Sequence, residues 1–125
     1  MTRNLRHLVP TEYEECCWLV SWLDLHNIFY IHIPNEGKRS PREGARQKRI
    51  GLKPGVSDYL ILDSPPAYPE RKGVWIELKR KGGKPTKEQF DFLVKAENRG
   101  YSVFCCEGGE EAARKLKEQY GYGGR

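Results

Sequence analysis

Residues 55–79, GVSDYLILDSPPAYPERKGVWIELK, contain the two strands that decide the fold. The apolar run at 58–62 predicts one strand, and the run at 74–80 predicts the next. The connection at 63–73 has three prolines, which favour a loop over any regular element. Because the two strands follow each other so closely, we expect them to pair antiparallel.

The same stretch carries the side chains with the most evident chemistry. Residues two apart on a strand face the same way, so Glu77 and Lys79 project together while Leu78 points to the opposite layer. In an antiparallel pair Asp58 can lie opposite Glu77, where the two carboxylates repel each other unless a cation or proton separates them. Oxygen ligands select Mg²⁺ or Mn²⁺ over zinc, so we predict such an ion on Asp58, Glu77 and the Leu78 backbone carbonyl. Lys79 would orient or deprotonate the attacking water, or stabilise charge on a phosphate.

Gln89 has two interpretations. It lies in the first turn of the helix after the 74–80 strand, from which its side chain can reach the same site. Thr86 and Gln89 also have the spacing of a capping box, in which the glutamine serves the helix alone. The spacing favours neither interpretation, and both stay open.

Outward from this stretch, helix and strand signals alternate. Thr11 and Glu14 have capping-box spacing, so a helix begins at 12. The basic stretch 38–53 also allows a short helix near 42–50. The remaining predictions are the first helix to 25, a strand at 28–33, a helix from 86 to 99, a strand at 101–106 and a helix at 110–120. The order α-β-β-β-α-β-α predicts an α/β fold with a small mixed β-sheet flanked by helices on both faces.

Length and composition favour one domain. The 125 residues suit a single unit over 1–125, with a core at 11–118 and a flexible leader at 1–10 and tail at 119–125. No apolar run approaches the roughly 18–20 residues that span a bilayer, and the N-terminus lacks a secretory signal. We therefore expect a cytoplasmic protein, in the host cytoplasm if it is viral. The four cysteines form two adjacent pairs, a spacing that fits neither zinc sites nor redox motifs.

The positive charge is concentrated in two segments on either side of the carboxylates. The whole chain carries +5, but 38–53 has seven cations against one acid, and 79–87 has five cations and no acid. Such segments attract polyanions, because each cation near a phosphate displaces a condensed counterion. A solvated charged face is the common alternative. Their position beside the carboxylates favours DNA contacts, for which the candidates are Asn35, Lys38, Arg39, Arg42, Arg46, Lys48, Arg49, Lys53, Arg80, Lys81 and Lys84.

Five motifs together resemble one family. They are Thr11-Glu12, Ile33-Pro34-Asn35-Glu36-Gly37, Gly51-Leu-Lys-Pro-Gly-Val-Ser-Asp58, Ile76-Glu77-Leu-Lys79 and Lys84-Pro-Thr-x-x-Gln89. Over residues 11–113 the chain resembles the virus-type replication-repair nuclease (VRR-NUC) domain of the PD-(D/E)XK nuclease superfamily. The resemblance implies a restriction-endonuclease-like core and Mg²⁺- or Mn²⁺-dependent phosphodiester hydrolysis. It further implies metal ligands at Asp58 and Glu77, a catalytic Lys79, and Gln89 reaching into the site.

The resemblance also implies a glutamate ligand from the first helix, for which two residues stay open. Glu14 is explained as the capping partner of Thr11. Glu12 fits the family pattern better, whereas Glu15 leads more directly into the apolar positions of the helix. Ser57 stands where the family often has proline, a difference of backbone shape and not of ligand chemistry.

Two functions from different classes fit the sequence. The first is a DNA endonuclease; the family's stand-alone members look like homodimers that cut branched DNA such as four-way junctions during replication, repair or recombination. In that function Asn35 contacts the scissile phosphate or a metal-bound water, although asparagine is more often simply a turn residue. The second is a basic nucleic-acid-binding accessory protein without catalysis. Metal-dependent cleavage distinguishes the two.

Overall fold

Four helices and four strands lie along residues 8–34 and 39–124, the part of the chain that this computed structural model describes. In chain order they are α1 (Glu12–Leu25), β1 (Tyr30–His32), α2 (Pro41–Arg49), β2 (Tyr59–Ile61), β3 (Val74–Lys79), α3 (Lys87–Asn98), β4 (Ser102–Glu107) and α4 (Gly109–Glu118).

The strands form one mixed sheet in the order β1-β2-β3-β4. β2 pairs antiparallel with both β1 and β3, whereas β3 and β4 run parallel and are joined through α3. In the β2–β3 ladder Tyr59 lies opposite Ile76. The predicted small mixed sheet with flanking helices, and the antiparallel pairing across the proline-rich loop, are confirmed.

Local capping signals set where the helices begin. The Thr11 hydroxyl accepts from the Glu14 N–H at 3.1 Å, and the Glu14 carboxylate accepts from the Thr11 N–H at 2.9 Å. α1 therefore begins at the predicted residue. Thr86 and Gln89 make the same reciprocal pair at the start of α3. α2 is an additional helix between β1 and β2, at the place where the sequence allows a short one, and Ser40 caps it.

The core lies between one face of the sheet and helices α1 and α4. Leu19 and Leu23 of α1, Ile76 and Leu78 of β3 and Leu116 of α4 are fully buried there. Burial of each such side chain stabilises the fold by roughly 1.5–3 kcal/mol. α3 packs against β3 and β4. Because Leu78 belongs to this core, its neighbours Glu77 and Lys79 lie on the other face of β3.

The C-terminal segment corrects the predicted flexible tail at 119–125. Tyr120 and Tyr122 are buried in the core cluster, and the Tyr122 hydroxyl donates to the Asp63 carbonyl. Gly121 between them has a φ of 81°, a left-handed conformation that glycine adopts without strain and that turns the chain back onto the core. The tail prediction is therefore wrong for these residues, because the two rings add apolar area to a small core. The predicted leader at 1–10 lies mostly outside the described residues.

No helix in the described ranges combines the length and the apolar character needed to cross a bilayer. Cys16, Cys17, Cys105 and Cys106 are free thiols.

Candidate active site

Three carboxylates meet at the end of the sheet where β2 begins. Glu12 is the first residue of α1, Asp58 directly precedes β2, and Glu77 lies on β3. Carboxylate oxygens of the three residues lie within 4.8 Å of one another. The strand register brings two of them together. Tyr59 lies opposite Ile76 in the antiparallel β2–β3 ladder, so Asp58, one residue before Tyr59, lies opposite Glu77, one residue after Ile76. The structure thus joins the two acids that the sequence pattern places face to face, and adds Glu12.

The backbone of the sheet fixes the orientation of Asp58. Its Oδ2 accepts a hydrogen bond of 2.8 Å from the Leu78 N–H. Its carbonyl oxygen accepts from the Ile33 N–H at 2.8 Å and lies 3.0 Å from His32 Nδ1. A carbonyl only accepts, so His32 carries its proton on Nδ1 in this contact. Contacts from β1 and β3 therefore hold Asp58 before any ligand binds.

Glu77 is a fully buried acid with unmet hydrogen-bonding capacity. Among the described residues, neither of its carboxylate oxygens has a hydrogen-bond partner. The Lys79 ammonium lies 3.4 Å from Glu77 Oε2 and is itself nearly buried. Burial and the neighbouring Asp58 carboxylate raise the pKa of Glu77 to about 8, although Lys79 opposes the shift. The site is therefore short of positive charge.

The donor set fits a hard divalent cation. Glu12, Asp58 and Glu77 supply oxygen ligands of the kind that Mg²⁺ and Mn²⁺ prefer, and the Glu77 oxygens, which accept no hydrogen bond from the described residues, provide the strongest need for one. A buried carboxylate that accepts no hydrogen bond is costly, because burial removes the water that would otherwise solvate its charge. A cation between the three acids would offset the repulsion between their charges and would coordinate the oxygens that accept no hydrogen bond.

The first-helix glutamate in the cluster is Glu12. Glu15 lies on the same helix, but its Oε1 accepts a hydrogen bond of 2.8 Å from the Gly109 N–H. That contact places a negative charge at the N-terminus of α4, where the helix dipole favours it. The interpretation of Glu15 as a metal ligand is corrected accordingly: this carboxylate caps α4 and is not part of the cluster.

Gln89 has the capping geometry of its second interpretation. Its Oε1 accepts from the Thr86 N–H at 2.8 Å, and its own N–H donates to the Thr86 hydroxyl at 3.2 Å. The residue is buried at the first turn of α3. Gly55, with a φ of 77°, lies directly against the Glu88 carbonyl of the same turn, where a Cβ would collide. The loop before Asp58 is thereby seated on the helix that carries Gln89.

The candidate DNA-binding cations are exposed wherever they are described. They line α2 and its flanks and the turn after β3, and they are Arg39, Arg42, Arg46, Lys48, Arg49, Lys53, Arg80, Lys81 and Lys84. Asn35 and Lys38 lie outside the described residues. No contact in the described structure tests the predicted role of the Leu78 carbonyl as a further metal ligand, which stays a prediction.

A cleft of about 720 Å³ opens beside the cluster. Glu12 and Asp58 line it together with His32, Cys16 and Tyr59. Burial raises the pKa of Cys16 to about 11 and also raises the pKa of Tyr59, so both groups are neutral at pH 7. No sequence pattern points to His32, because only the β1–β2 register, which pairs it with Tyr59, brings it beside Asp58.

Comparison with solved structures finds a similar fold. One structure, described as a "VRR_NUC domain protein", superposes with a TM-score of 0.71 at 22% sequence identity, over 90% of this chain and 88% of that chain. No protein-family model and no curated protein sequence matches this chain. The chain has the fold of a VRR_NUC domain, as its five sequence motifs predict.

Proposed function

We propose that this chain is a metal-dependent endodeoxyribonuclease that hydrolyses phosphodiester bonds with Mg²⁺ or Mn²⁺. The observation that carries the proposal is the cluster of Glu12, Asp58 and Glu77 with the Lys79 ammonium 3.4 Å from Glu77. Such a cluster, buried and short of positive charge, is suited to metal-assisted chemistry on a phosphate. The fold shared with a VRR_NUC domain protein supports the architecture, while the cluster supports the chemistry.

The three acids would hold the ion, with the Leu78 carbonyl as a further ligand. When bound, a divalent ion makes a nucleophile available near neutral pH and offsets negative charge that develops on the phosphate. Asp58 needs little reorganisation to take this part, because the Leu78 N–H already fixes its carboxylate. Glu77 gains most, because its buried oxygens lack hydrogen-bond partners among the described residues.

Lys79 supplies the positive charge that belongs to the protein itself. Its ammonium is held beside Glu77 on the same face of β3. From there it would orient or deprotonate the attacking water, or stabilise charge on a phosphate oxygen. Burial in a site of low dielectric strengthens that interaction.

DNA is the proposed substrate, and branched DNA the proposed substrate class. The exposed cations around α2 and after β3 would bind its phosphates. One domain has one site, so symmetric cutting of two strands would need a homodimer related by a two-fold axis. In this proposal Asn35 lies near the scissile phosphate and Gln89 lies beside the site. The protein acts in phage or cellular repair or recombination, and its location is cytoplasmic.

A cleavage panel tests the function. Linear, splayed, flap and four-way DNA are incubated with the protein and Mg²⁺ or Mn²⁺, beside Lys79→Ala. We expect the unmodified protein to cut, and Lys79→Ala to bind the same DNA without cutting it. Lys117→Ala, which removes an exposed lysine on α4, is the matched control and should cut normally.

A non-catalytic nucleic-acid-binding protein is the alternative that the exposed basic surface favours. It would bind DNA with the same dependence on salt. Intact DNA of every shape after incubation with either metal, together with tight binding, would establish this alternative and refute the nuclease.

A further inference from the structure

Helix α2 stands apart from the rest of the described structure. All of its residues are exposed except Gly44 and Gln47, which are half-buried. It makes no extensive packing contact with another helix or strand within the described ranges. Burial of an apolar face, which stabilises most helices in proteins, therefore does not explain why these residues are helical.

Local interactions favour the helix instead. Ser40 accepts from the Glu43 N–H at 3.1 Å, and Pro41 occupies the first turn. Gln47 Nε2 donates to Glu43 at 2.9 Å across one turn. A helix of nine residues with only such support is marginal in water. Its conformation would be stabilised by a partner that binds it as a helix.

The arginines of α2 form a stripe that faces away from the body. Arg42, Arg46 and Arg49 are spaced i, i+4 and i+7, which places them within an arc of about 60° on the helix. Gly44 and Gln47, the half-buried residues, lie on the opposite side. The strongest positive charge of the helix therefore meets solvent and not the protein.

We propose that α2 enters the major groove of a duplex segment of the DNA substrate and that the arginine stripe binds phosphates along the groove. This inference rests on the proposed function, of which it specifies the substrate: the DNA must have a double-stranded part beside the cleaved bond. A helix with its side chains is about 10–12 Å across, close to the roughly 12 Å width of that groove.

The position of α2 fits this role. Residues 50–57 connect it to Asp58, and Gly55 in that connection is packed against the first turn of α3. Lys48 of α2 lines one cavity together with Gly55 and Gln89, so a duplex held by α2 would lie near the loop that leads into Asp58. Apart from Pro41 and Ala45 the helix has no apolar side chain, whereas the centre of a protein–protein interface is depleted in charge. DNA is thus favoured over an acidic protein as the partner.

Salt dependence tests the arginine stripe. Binding of the metal-free protein to a short duplex and to a single strand of the same length is measured over a range of salt concentrations. Replacing Arg42, Arg46 and Arg49 by alanine should lower the slope of log K against log salt by about 3 for the duplex. The advantage of the unmodified protein over this variant should then shrink about 40-fold between about 50 and about 200 mM salt.

A matched variant removes equal charge elsewhere. Lys95, Arg99 and Lys117 are exposed cations on or next to α3 and α4, and their replacement by alanine should leave the duplex slope nearly unchanged. Equal slopes for the two triple variants, or an equal loss on single strands and duplexes, would overturn the proposal. Duplex binding of the stripe variant as tight as that of the unmodified protein, with the same slope, would likewise overturn it and leave α2 as a surface for some other partner.

A second pair of variants tests the helical conformation without changing charge. Gly44→Ala favours the helix, and Ala45→Gly disfavours it by a similar amount. Since α2 is marginal, about half of the free molecules hold it as a helix, so duplex binding should be about twofold tighter for the first variant and about threefold weaker for the second. No change in either variant would show that α2 does not bind as a helix. A protein that cuts no DNA but shows all these binding effects would refute the nuclease and retain the groove contact, so the two failures are distinguishable.

Discussion

The carboxylate cluster and helix α2 differ in how the protein holds their charged side chains. Glu77 is fully buried, and contacts from two other strands orient Asp58. In α2 the charges are exposed, and local capping supports the helix. The buried cluster therefore lowers the stability of the fold and is fixed in position, whereas the exposed helix hardly affects that stability and makes few contacts with the rest of the fold. Rigid placement suits a group that must meet a reacting atom, and loose placement suits one that follows a DNA backbone.

The largest effect is expected from Glu77→Gln, which keeps the shape of the side chain and removes its charge. A divalent ion would lose one of its carboxylate ligands, so metal-dependent cleavage should fall by at least about 10²-fold. Glu107→Gln is the matched control, because Glu107 is exposed on the neighbouring strand β4. Equal activity in the two variants would remove Glu77 from the site.

The next largest effect is a dependence of stability on pH in the metal-free protein. Burial and Asp58 raise the pKa of Glu77 to about 8, whereas in the unfolded chain it titrates near its ordinary value of 4.5. Between those values the folded state retains a proton that the unfolded state has lost, so stability falls as pH rises from about 5 to about 8 and then levels off. Thermal unfolding at several pH values should show the decline, and Glu77→Gln should flatten it.

A wild-type curve as flat as that of Glu77→Gln would contradict the raised pKa. Added Mg²⁺ gives a second check in the same experiment. A cation that binds the ionised cluster should raise the melting temperature more at pH 8 than at pH 6, because at pH 8 fewer molecules still hold the Glu77 proton that the cation must displace. The Gln variant should lose most of that gain.

Much of this contrast could be predicted from the sequence, because it depends on local signals. The Thr11–Glu14 box predicted the start of α1 to the residue, and the Thr86–Gln89 box predicted that of α3 to within one residue. The short proline-rich connection made an antiparallel pair of β2 and β3 the natural choice, which in turn set Asp58 against Glu77.

What could not be predicted depends on how distant elements pack. Spacing alone allowed either Glu12 or Glu15 to face the cluster, and the choice is set by the rotation of α1 against the sheet and by α4, which takes Glu15. Tyr122 joins the core only through the fold of the whole C-terminal segment. His32 is placed by a strand register that its own sequence does not reveal.

A smaller effect separates the two glutamates of α1. Glu15→Ala removes the carboxylate that caps α4 and should lower the free energy of unfolding by about 1 kcal/mol. Its cleavage activity under native conditions should be unchanged. Glu12→Ala should do the reverse: cleavage should need a higher metal concentration, and stability should change little. Denaturant unfolding and metal titrations of both variants provide the measurement; exchanged phenotypes would return Glu15 to the site.

The smallest effect is expected from Gly44→Ala, which tests whether α2 unfolds independently of the rest of the protein. A Cβ at this position meets no atom within 4 Å, so the substitution strengthens the helix without a clash. Because α2 makes no extensive packing contact with another element of the described chain, the melting temperature should stay the same while hydrogen exchange of the α2 amides slows about threefold. Ala45→Gly should speed that exchange by up to about twofold, again at constant melting temperature. A rise of several degrees for Gly44→Ala would mean that α2 unfolds together with the core, in which case the difference between a rigid acidic site and an independent basic helix does not hold.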